Sequence, residues 1–309
     1  MKIITLTLNP AFDIHCHVKN FQSFHENIAK ITSTDAGGKG VNISRALKNN
    51  GINNTVVIVA GKDNASEFTA SIKNDNVLYC LVETDGRIRQ NITVHSGNED
   101  AETRISFNGF VCDNVILNEV GEKIGCVDSE TIITMTGSIP DGVSVSAVKE
   151  FLSLLKKQGA KIVIDSRSFS LADICEFKPW LIKPNKDEIE KYTSKKIEMA
   201  ADALQIAKKL NKEGVENVII SFGGMGAALS CKEGDFLANA PEIRAVSTIG
   251  AGESMIAGFI PAYINVADAP ECLKNAVAFG TAACLAEGTR PPEPSEVKKL
   301  KTLIRITGF

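Results

Sequence analysis

The sequence predicts an α/β protein whose doubly wound, mostly parallel sheet is flanked by helices and carries a small antiparallel β lid. From residue 113 onwards, short apolar runs alternate with segments of helical spacing. The apolar runs lie at 132–135, 162–164, 181–182 and 218–221. This alternation is typical of a parallel sheet, because each helix carries the chain back across the sheet. Residues 79–109 instead alternate with a period of two, which is typical of antiparallel strands exposed on one face.

The remaining elements follow from local apolar patterns. In the first half they are a strand at 2–8, a half-exposed hairpin at 12–31, a helix at 41–48, a strand at 55–60 and a helix at 64–72. In the second half, helices are predicted at 143–157, 186–193, 199–213, 252–265, 269–286 and 295–304. No repeat or linker separates these elements, so we predict one domain over residues 1–309, with lid segments at about 12–31 and 86–108. Ligands of such sheets bind beyond the carboxyl ends of the strands.

Composition and charge narrow the classes of partner. The 309 residues are 44% hydrophobic and 23% charged, and their net charge of −3 gives no reason to expect nucleic acid or an anionic membrane as partner. No apolar run approaches the roughly 20 residues that span a bilayer. The eight cysteines form no CxxC pair, which indicates reduced thiols and a cytoplasmic location. His15 and His17 would share a strand face, but a metal site there is disfavoured because no further ligand lies nearby.

The stretch Gly250-Ala251-Gly252-Glu253 leads directly into an apolar helical pattern. The first N–H groups of a helix lack partners within it and favour an anion. A carboxylate in the same turn suits transfer of an anionic group to a hydroxyl, with Glu253 as the base. The alternative is that Glu253 only caps the helix.

Two further motifs combine polar side chains with turn residues. In Gly37-Gly-Lys-Gly-Val-Asn42, the glycines allow close backbone approach, and the lysine offers a charge for phosphate. A solvated turn is the alternative. In Lys183-Pro-Asn-Lys-Asp-Glu188, the amide and the carboxylate form a sound helix cap, which local sequence favours, and the alternative is that the same spacing holds a hydrated Mg²⁺. No Walker motif is present, and Gly223-Gly-Met-Gly226 lacks the spacing of a dinucleotide loop.

Together these motifs resemble the PfkB (ribokinase-like) carbohydrate kinase family, and within it the branch of 1-phosphofructokinases and tagatose-6-phosphate kinases. The resemblance covers essentially the whole chain. Its motifs, in order, are Thr7-Leu-Asn-Pro-Ala-Phe-Asp13, Gly37-Gly-Lys-Gly-Val-Asn-Ile-Ser44, Arg89-Gln-Asn91, Glu102-Thr103, Thr136-Gly-Ser-Ile-Pro140, Lys183-Pro-Asn-Lys-Asp-Glu188, Ser221-Phe-Gly-Gly-Met-Gly226 and Gly250-Ala-Gly-Glu253.

The resemblance implies a role for each matching residue. The residues implied for the phosphorylated sugar are Asp13, Gly38, Lys39, Asn42, Arg89 and Ser138. Those implied for the nucleotide are Lys183, Asn185, Ser221, Gly223 and Gly226, while Asn185 and Glu188 would organise Mg²⁺. Gly250, Ala251 and Gly252 would bind the transferring γ-phosphate, and Glu253 would be the catalytic base.

The chain departs from the family pattern at two places. Position 253 is glutamate where the family has aspartate. Displacing a reacting group by about 1 Å can cost on the order of a hundredfold in rate. In the lid, the branch's TExN pattern is replaced by Thr103-Arg-Ile-Ser106, and Ile88 replaces the usual threonine. Arg104 would be either a new phosphate or acid contact or an exposed lid charge, and the sequence favours the exposed charge.

The resulting hypothesis is an ATP- and Mg²⁺-dependent sugar-phosphate kinase. The first substrate candidate is fructose 1-phosphate and the second is tagatose 6-phosphate. A homodimer through the lid is expected, because an open edge of alternating strands would otherwise be exposed. One alternative is a catalytically weak sugar-phosphate sensor that retains the fold. Another is a kinase for an unphosphorylated sugar or nucleoside, which Lys39 and Arg89 together disfavour.

Overall fold

A computed structural model of the chain describes residues 1–97 and 102–309. Residues 98–101, which fall in the predicted lid segment 86–108, lie outside the described residues. The strands of the described residues are β1 Lys2–Thr7, β2 Ala11–Val18, β3 Lys30–Gly37, β4 Thr55–Gly61, β5 Leu78–Thr84, β6 Arg89–Ser96, β7 Glu102–Ser106, β8 Thr131–Thr136, β9 Lys161–Asp165, β10 Leu181–Ile182, β11 Asn217–Ser221, β12 Ala227–Cys231, β13 Gly234–Ala238 and β14 Ile306–Gly308.

The helices alternate with these strands through most of the chain, as the sequence predicts. They are α1 Lys39–Asn49, α2 Ala65–Asn74, α3 Ile116–Ile124, α4 Val145–Lys157, α5 Leu171–Phe177, α6 Lys186–Thr193, α7 Ala200–Lys212, α8 Ala251–Ile264, α9 Ala269–Ala283 and α10 Pro294–Lys301. Helices α3 and α5 were not predicted from the sequence. None of the helices in residues 1–97 and 102–309 has the length and hydropathy needed to cross a membrane.

The main sheet is mostly parallel and has helices on both faces, which confirms the predicted fold class. Its strand order is β14-β13-β12-β11-β10-β9-β8-β1-β4-β5. All pairs from β5 to β11 are parallel, whereas the pairs from β11 to β14 are antiparallel. The β12–β13 pair is antiparallel because only two residues join these strands, too few for a crossover connection.

Two apolar layers cover the faces of this sheet. One contains buried residues of α3 to α7, and the other contains buried residues of α1, α8, α9 and α10. Helix α8 is buried along 254–262, which fits a sequence that is apolar on all sides. The rigid position of α8 fixes the Gly250–Glu253 stretch at its N-terminus.

The lid is a separate four-stranded sheet with the order β3-β2-β6-β7. The outer pairs β2–β3 and β6–β7 are antiparallel, as predicted, while the central pair β2–β6 runs parallel. The two hairpins come from distant parts of the chain, so no short turn dictates how they meet. The first hairpin extends to Gly37, beyond the predicted limit of 31. Leu78–Thr84, at the start of the stretch predicted to be antiparallel, is instead a parallel strand of the main sheet.

Candidate active site

A cavity of about 780 Å³ lies where loops follow the carboxyl ends of β9, β10 and β11 and meet the N-terminus of α8. It brings together the residues predicted for the nucleotide, for Mg²⁺ and for phosphoryl transfer, and it also contains Lys39, which was predicted for the phosphorylated sugar. Those that line it are Lys39, Lys183, Asn185, Glu188, Ser221, Gly223, Gly226, Gly250, Ala251, Gly252 and Glu253. These positions span more than two hundred residues of sequence, so their convergence depends on the parallel sheet.

The loop before α8 has the geometry of an anion site. Gly250 has φ 82°, a left-handed conformation that glycine adopts without strain, and Glu253 lies in the first helical turn. At Gly252, a Cβ atom would lie only 2.7 Å from Lys183 Nζ. The missing side chain therefore allows the buried Lys183 ammonium to approach the N-terminus of α8, where it adds to the positive end of the helix dipole.

Lys39 forms an ion pair with an aspartate that the sequence did not single out. Lys39 Nζ lies 2.9 Å from Asp165 Oδ2, and Asp165 is almost completely buried at the end of β9. Burial alone would lower the pKa of Lys39, but the charges of Asp165 and Glu253 and the hydrogen bond to Asp165 outweigh it and raise the pKa. Burial likewise opposes ionisation of Asp165, yet Lys183 and Lys39 lower its pKa. Both groups are therefore charged at neutral pH.

A sequence signal for Asp165 existed. It ends a buried strand, Ile162-Val-Ile-Asp165, at the edge of a parallel sheet where ligands bind. The partner of this carboxylate was not predictable, because Lys39 lies 126 residues away in the chain. Lys39 therefore lies in the same cavity as Glu253, whereas the resemblance implied it as a ligand of the phosphate on the sugar.

Asn185 and Glu188 form the helix cap that local sequence favoured. Asn185 Oδ1 accepts a hydrogen bond from the Glu188 N–H at 2.9 Å, and Glu188 Oε2 accepts one from the Asn185 N–H at 3.0 Å. The other oxygen, Glu188 Oε1, accepts a hydrogen bond from Arg167 Nε at 2.9 Å.

The oxygens of Asn185 and Glu188 suit Mg²⁺, because each carboxylate oxygen has two acceptor sites and the ion prefers hard oxygen ligands. The described residues contain no group of three or more His, Cys, Asp or Glu side chains that would enclose a metal. The residues present therefore fit a hydrated ion held by one carboxylate together with substrate phosphates.

Ser221 and the glycines after it form the predicted loop beside this cap. Ser221 N–H donates to the carbonyl of Pro184 at 3.1 Å, which joins the loop to the start of the Asn185 cap. Gly223 and Gly226 have φ 64° and 111°. A Cβ atom at Gly226 would collide with the carbonyl oxygen of Ala238, so a side chain is excluded there.

Asp13 lies in a polar cluster on the lid. Its Oδ1 atom accepts hydrogen bonds from Asn91 Nδ2 at 2.8 Å and from Arg104 Nη2 at 3.0 Å. Arg104 therefore makes the acid contact that the sequence had disfavoured, although it is also exposed as the favoured interpretation expected. The side chain keeps an exposed fraction of 42%, but β7 pairs with β6 in a register that turns its guanidinium toward Asp13.

Arg89 lies at the start of β6, where the lid meets the main domain. Its Nη2 atom donates to the carbonyl of Asn9 at 3.5 Å, and its Nε atom is buried without a hydrogen-bond partner among the described residues. Burial, with a smaller contribution from Arg104, lowers the pKa of Arg89, while Asp13 opposes this shift. A poorly paired guanidinium of this kind is suited to an anion.

The remaining predicted sugar ligands border the same region. Gly38 has φ 127° and caps α1, and Asn42 follows in the first turn of that helix. Asn9 Nδ2 donates to Ser138 Oγ at 3.0 Å. Among the described residues, the buried atoms Asn9 Oδ1, Asn42 Oδ1 and Asn91 Oδ1 have no hydrogen-bond partner. Unpaired buried polar atoms are uncommon in folded proteins, and a ligand with hydrogen-bond donors would give these three oxygens partners.

The histidine pair considered from the sequence is separated by the structure. His15 Nδ1 lies 3.1 Å from His95 Nε2, on the neighbouring strand β6, and His95 Nδ1 lies 3.3 Å from Glu102 Oε1. His15 therefore makes its closest polar contact with β6 and not with His17. This lid cluster is separate from the cavity described above.

Comparison with known proteins shows the family to which the chain belongs. Residues 9–296 match the model of the pfkB family carbohydrate kinases, so the chain belongs to this family, and the predicted enzyme class, a phosphotransferase with an alcohol group as acceptor, is confirmed. The chain is 30% identical over 283 residues to the 1-phosphofructokinase of Escherichia coli K12, covering 91% of this chain and 90% of that protein. It is 31% identical over 307 residues to the 1-phosphofructokinase of Haemophilus influenzae, covering 99% and 98%.

Solved structures show the same fold. The structure of phosphofructokinase-2 from Escherichia coli in complex with substrates and products superimposes with a TM-score of 0.92 at 25% identity. The match covers 98% of this chain and 99% of the other. Both the main sheet and the lid therefore belong to an architecture shared with this sugar-phosphate kinase.

Proposed function

We propose that the protein is an ATP- and Mg²⁺-dependent kinase that phosphorylates a hydroxyl of a phosphorylated ketohexose, with fructose 1-phosphate as the first candidate. The observation that carries this proposal is the position of Glu253. Its carboxylate lies in the first turn of α8, beside an anion-binding loop and in the same cavity as the Lys39–Asp165 pair and Lys183. The names of the curated relatives, 1-phosphofructokinase, support the same substrate.

In the proposed reaction, Glu253 accepts the proton of the sugar hydroxyl. The hydroxyl oxygen then forms a bond to the γ-phosphorus, and the bond from that phosphorus to the bridging oxygen of ADP breaks. Negative charge on the transferring group is stabilised by the N–H groups at Gly250–Glu253 and by the nearby ammonium groups. The ion pair with Asp165 assigns Lys39, in this proposal, to the transferring phosphoryl group instead of the phosphate already on the sugar.

Residues of the α6 cap would hold the metal. Mg²⁺ bound at Glu188 and Asn185 would supply neutralisation of the nucleotide phosphates. Ser221, Gly223 and Gly226 would contact the nucleotide from the adjacent loop, whose glycines leave room for close backbone approach.

The sugar side supports a substrate that already carries a phosphate. The charge of Arg104 contributes to lowering the pKa of Arg89, so the two guanidinium groups lie near each other. Asp13, which Arg104 contacts, is the acceptor for sugar hydroxyls in this proposal. Two guanidinium groups match a phosphate dianion. Tagatose 6-phosphate is the second substrate candidate, because the same groups recognise a phosphate and hydroxyls without distinguishing the two ketoses. A sensor without turnover is the remaining alternative.

We also propose a homodimer formed through the lid, in the cytoplasm. The loop and strand at the lid edge expose large apolar side chains, with exposed fractions of 105% for Phe24, 87% for Ile28 and 61% for Ile31. An exposed apolar patch on an unpaired sheet edge favours association. Sedimentation of wild type and the Ile31→Lys variant at micromolar concentration tests this: a dimer is expected for wild type, and a monomer would contradict the proposal. The free thiols of all eight cysteines fit a reducing compartment.

The decisive experiment measures ADP release with Mg·ATP and a substrate panel. The panel contains fructose 1-phosphate, fructose 6-phosphate, tagatose 6-phosphate, free fructose and ribose, and the variants are Glu253→Ala and Glu253→Asp. We expect turnover of one phosphorylated ketose and a loss of about a hundredfold or more in kcat for Glu253→Ala. If wild type releases no ADP with any of these sugars and Glu253→Asp does, the sensor is favoured instead.

A further inference from the structure

Arg167 follows β9 by two residues and lines the nucleotide cavity, yet no sequence motif included it. Its side chain has an exposed fraction of 77%, whereas that of its partner Glu188 is 12%. The guanidinium contacts Glu188 through Nε alone. Its terminal nitrogens make no hydrogen bond within residues 1–97 and 102–309, so they remain available at the surface of the cavity.

This contact occupies the carboxylate oxygen that the metal would use. Glu188 Oε2 accepts a hydrogen bond from the Asn185 N–H and so belongs to the cap of α6. Breaking this hydrogen bond would leave a backbone N–H at the start of the helix without its partner. Glu188 Oε1 is bound instead by a largely exposed cation. Exposed ion pairs contribute little to stability, so the contact with Arg167 is the one that opens easily.

We propose that Arg167 binds the nucleotide phosphates. In the free protein its guanidinium is paired with Glu188, and binding of Mg·ATP replaces this contact by contacts with the phosphates. The inference rests on the proposed function, because it assumes the metal–nucleotide site. A divalent cation at Glu188 repels the guanidinium, and the phosphates attract it. The planar guanidinium of arginine also matches two phosphate oxygens at once. After the exchange, each charged group again has a partner of opposite sign.

The first half of the exchange is tested by Mn²⁺ binding without nucleotide, measured by electron paramagnetic resonance. Removing the cation that competes for Glu188 should strengthen Mn²⁺ binding in Arg167→Gln by about tenfold. The matched control is Lys208→Gln. Lys208 Nζ lies 2.9 Å from Asp235 Oδ2, so this variant also removes one positive charge and frees one carboxylate, but away from the cavity. Its Mn²⁺ affinity should equal that of wild type.

The second half is tested by calorimetric binding of a non-hydrolysable ATP analogue with Mg²⁺. Here the effect of Arg167→Gln should have the opposite sign, with affinity about tenfold weaker, because a phosphate contact is lost. Arg167→Lys keeps the charge without the planar fork. It should bind Mn²⁺ like wild type and the analogue with intermediate affinity.

In Arg167→Gln the affinity for Mn²⁺ and the affinity for the ATP analogue are thus expected to change in opposite directions. Unchanged Mn²⁺ affinity in Arg167→Gln, or an equal gain in Lys208→Gln, would contradict competition between Arg167 and the metal for Glu188. Unchanged analogue affinity in Arg167→Gln would contradict the phosphate contact. Absence of analogue binding by wild type would overturn the proposed kinase site itself, and with it this inference, so the two failures are distinguishable.

Discussion

The nucleotide side and the sugar side of the candidate site differ in how their polar groups are satisfied. On the nucleotide side, Asp165 pairs with Lys39, and both oxygens of Glu188 are bound. On the sugar side, Asn42 Oδ1, Asn91 Oδ1 and Arg89 Nε have no partner among the described residues. The polar groups of the nucleotide side are thus paired without a ligand. Those of the sugar side include atoms that only a ligand would pair.

This difference follows from where the residues come from. The nucleotide-side groups lie on loops anchored by buried strands and by the buried helix α8, so the core fixes their positions. The sugar-side groups lie partly on the lid, whose own cluster of buried apolar residues is small: Cys16, Val18 and Val94. A small core confers less local stability, which suits a segment that moves with its substrate.

The largest effect is expected on the free energy of unfolding when the ion pair of the nucleotide side is removed. Asp165→Asn leaves Lys39 without its buried partner, which should lower the free energy of unfolding by about 3–5 kcal/mol. The control is Asp85→Asn, which removes the carboxylate partner of Lys62. Because the side chains of Lys62 and Asp85 are 57% and 95% exposed, this loss should leave the free energy of unfolding nearly unchanged. Urea unfolding of both variants tests this, and equal losses would contradict it.

A smaller effect is expected on the sugar side. Arg89→Met should raise the KM for the sugar phosphate by about tenfold to a hundredfold, because a hydrogen-bonded charge on the substrate loses its partner. The KM for ATP should stay unchanged. Arg104→Met should raise the sugar-phosphate KM less, since Arg104 already contacts Asp13 in the free protein. Steady-state kinetics of both variants measures this; a matching rise in the KM for ATP would argue against two separate sides.

Hydrogen exchange sharpens the comparison further. A sugar phosphate at about ten times its Kd should slow exchange in β2 and β6 up to about tenfold, because a ligand that binds the folded lid stabilises it against local unfolding by mass action. The amides of the α6 cap should change little, since the Asn185–Glu188 cap is complete without ligand. Similar slowing in both regions would show that the two sides are not organised differently.

The smallest effect is expected from pH near neutrality. Because the folded-state pKa of Asp165 is lowered, its stabilising contribution is present above the unfolded-state value of about 3.9 and disappears as pH falls further. The raised pKa of Lys39 keeps the cation charged through the same window. The stability difference between wild type and Asp165→Asn should thus be constant between about pH 5 and 9 and shrink below about pH 4. A difference that varies between pH 6 and 8 would contradict this.

The sequence by itself determined the features that depend on neighbouring residues. Alternating apolar runs predicted the parallel sheet, the Asn185–Glu188 spacing predicted the capped helix, and Gly250–Glu253 predicted the loop before α8. Such patterns are readable because the interactions that produce them span only a few residues. Family motifs then grouped these positions around one phosphoryl-transfer site.

The tertiary structure alone decided which distant groups meet. Asp165 reaches Lys39 across 126 residues, Arg104 reaches Asp13 across 91, and the lid joins its two hairpins through a parallel pair. The hydrogen bond between Arg167 and Glu188 likewise depends on how the loop after β9 packs against α6. No local spacing encodes these contacts. They follow from the register and packing of whole strands and helices, which the shared core fixes only once the chain has folded.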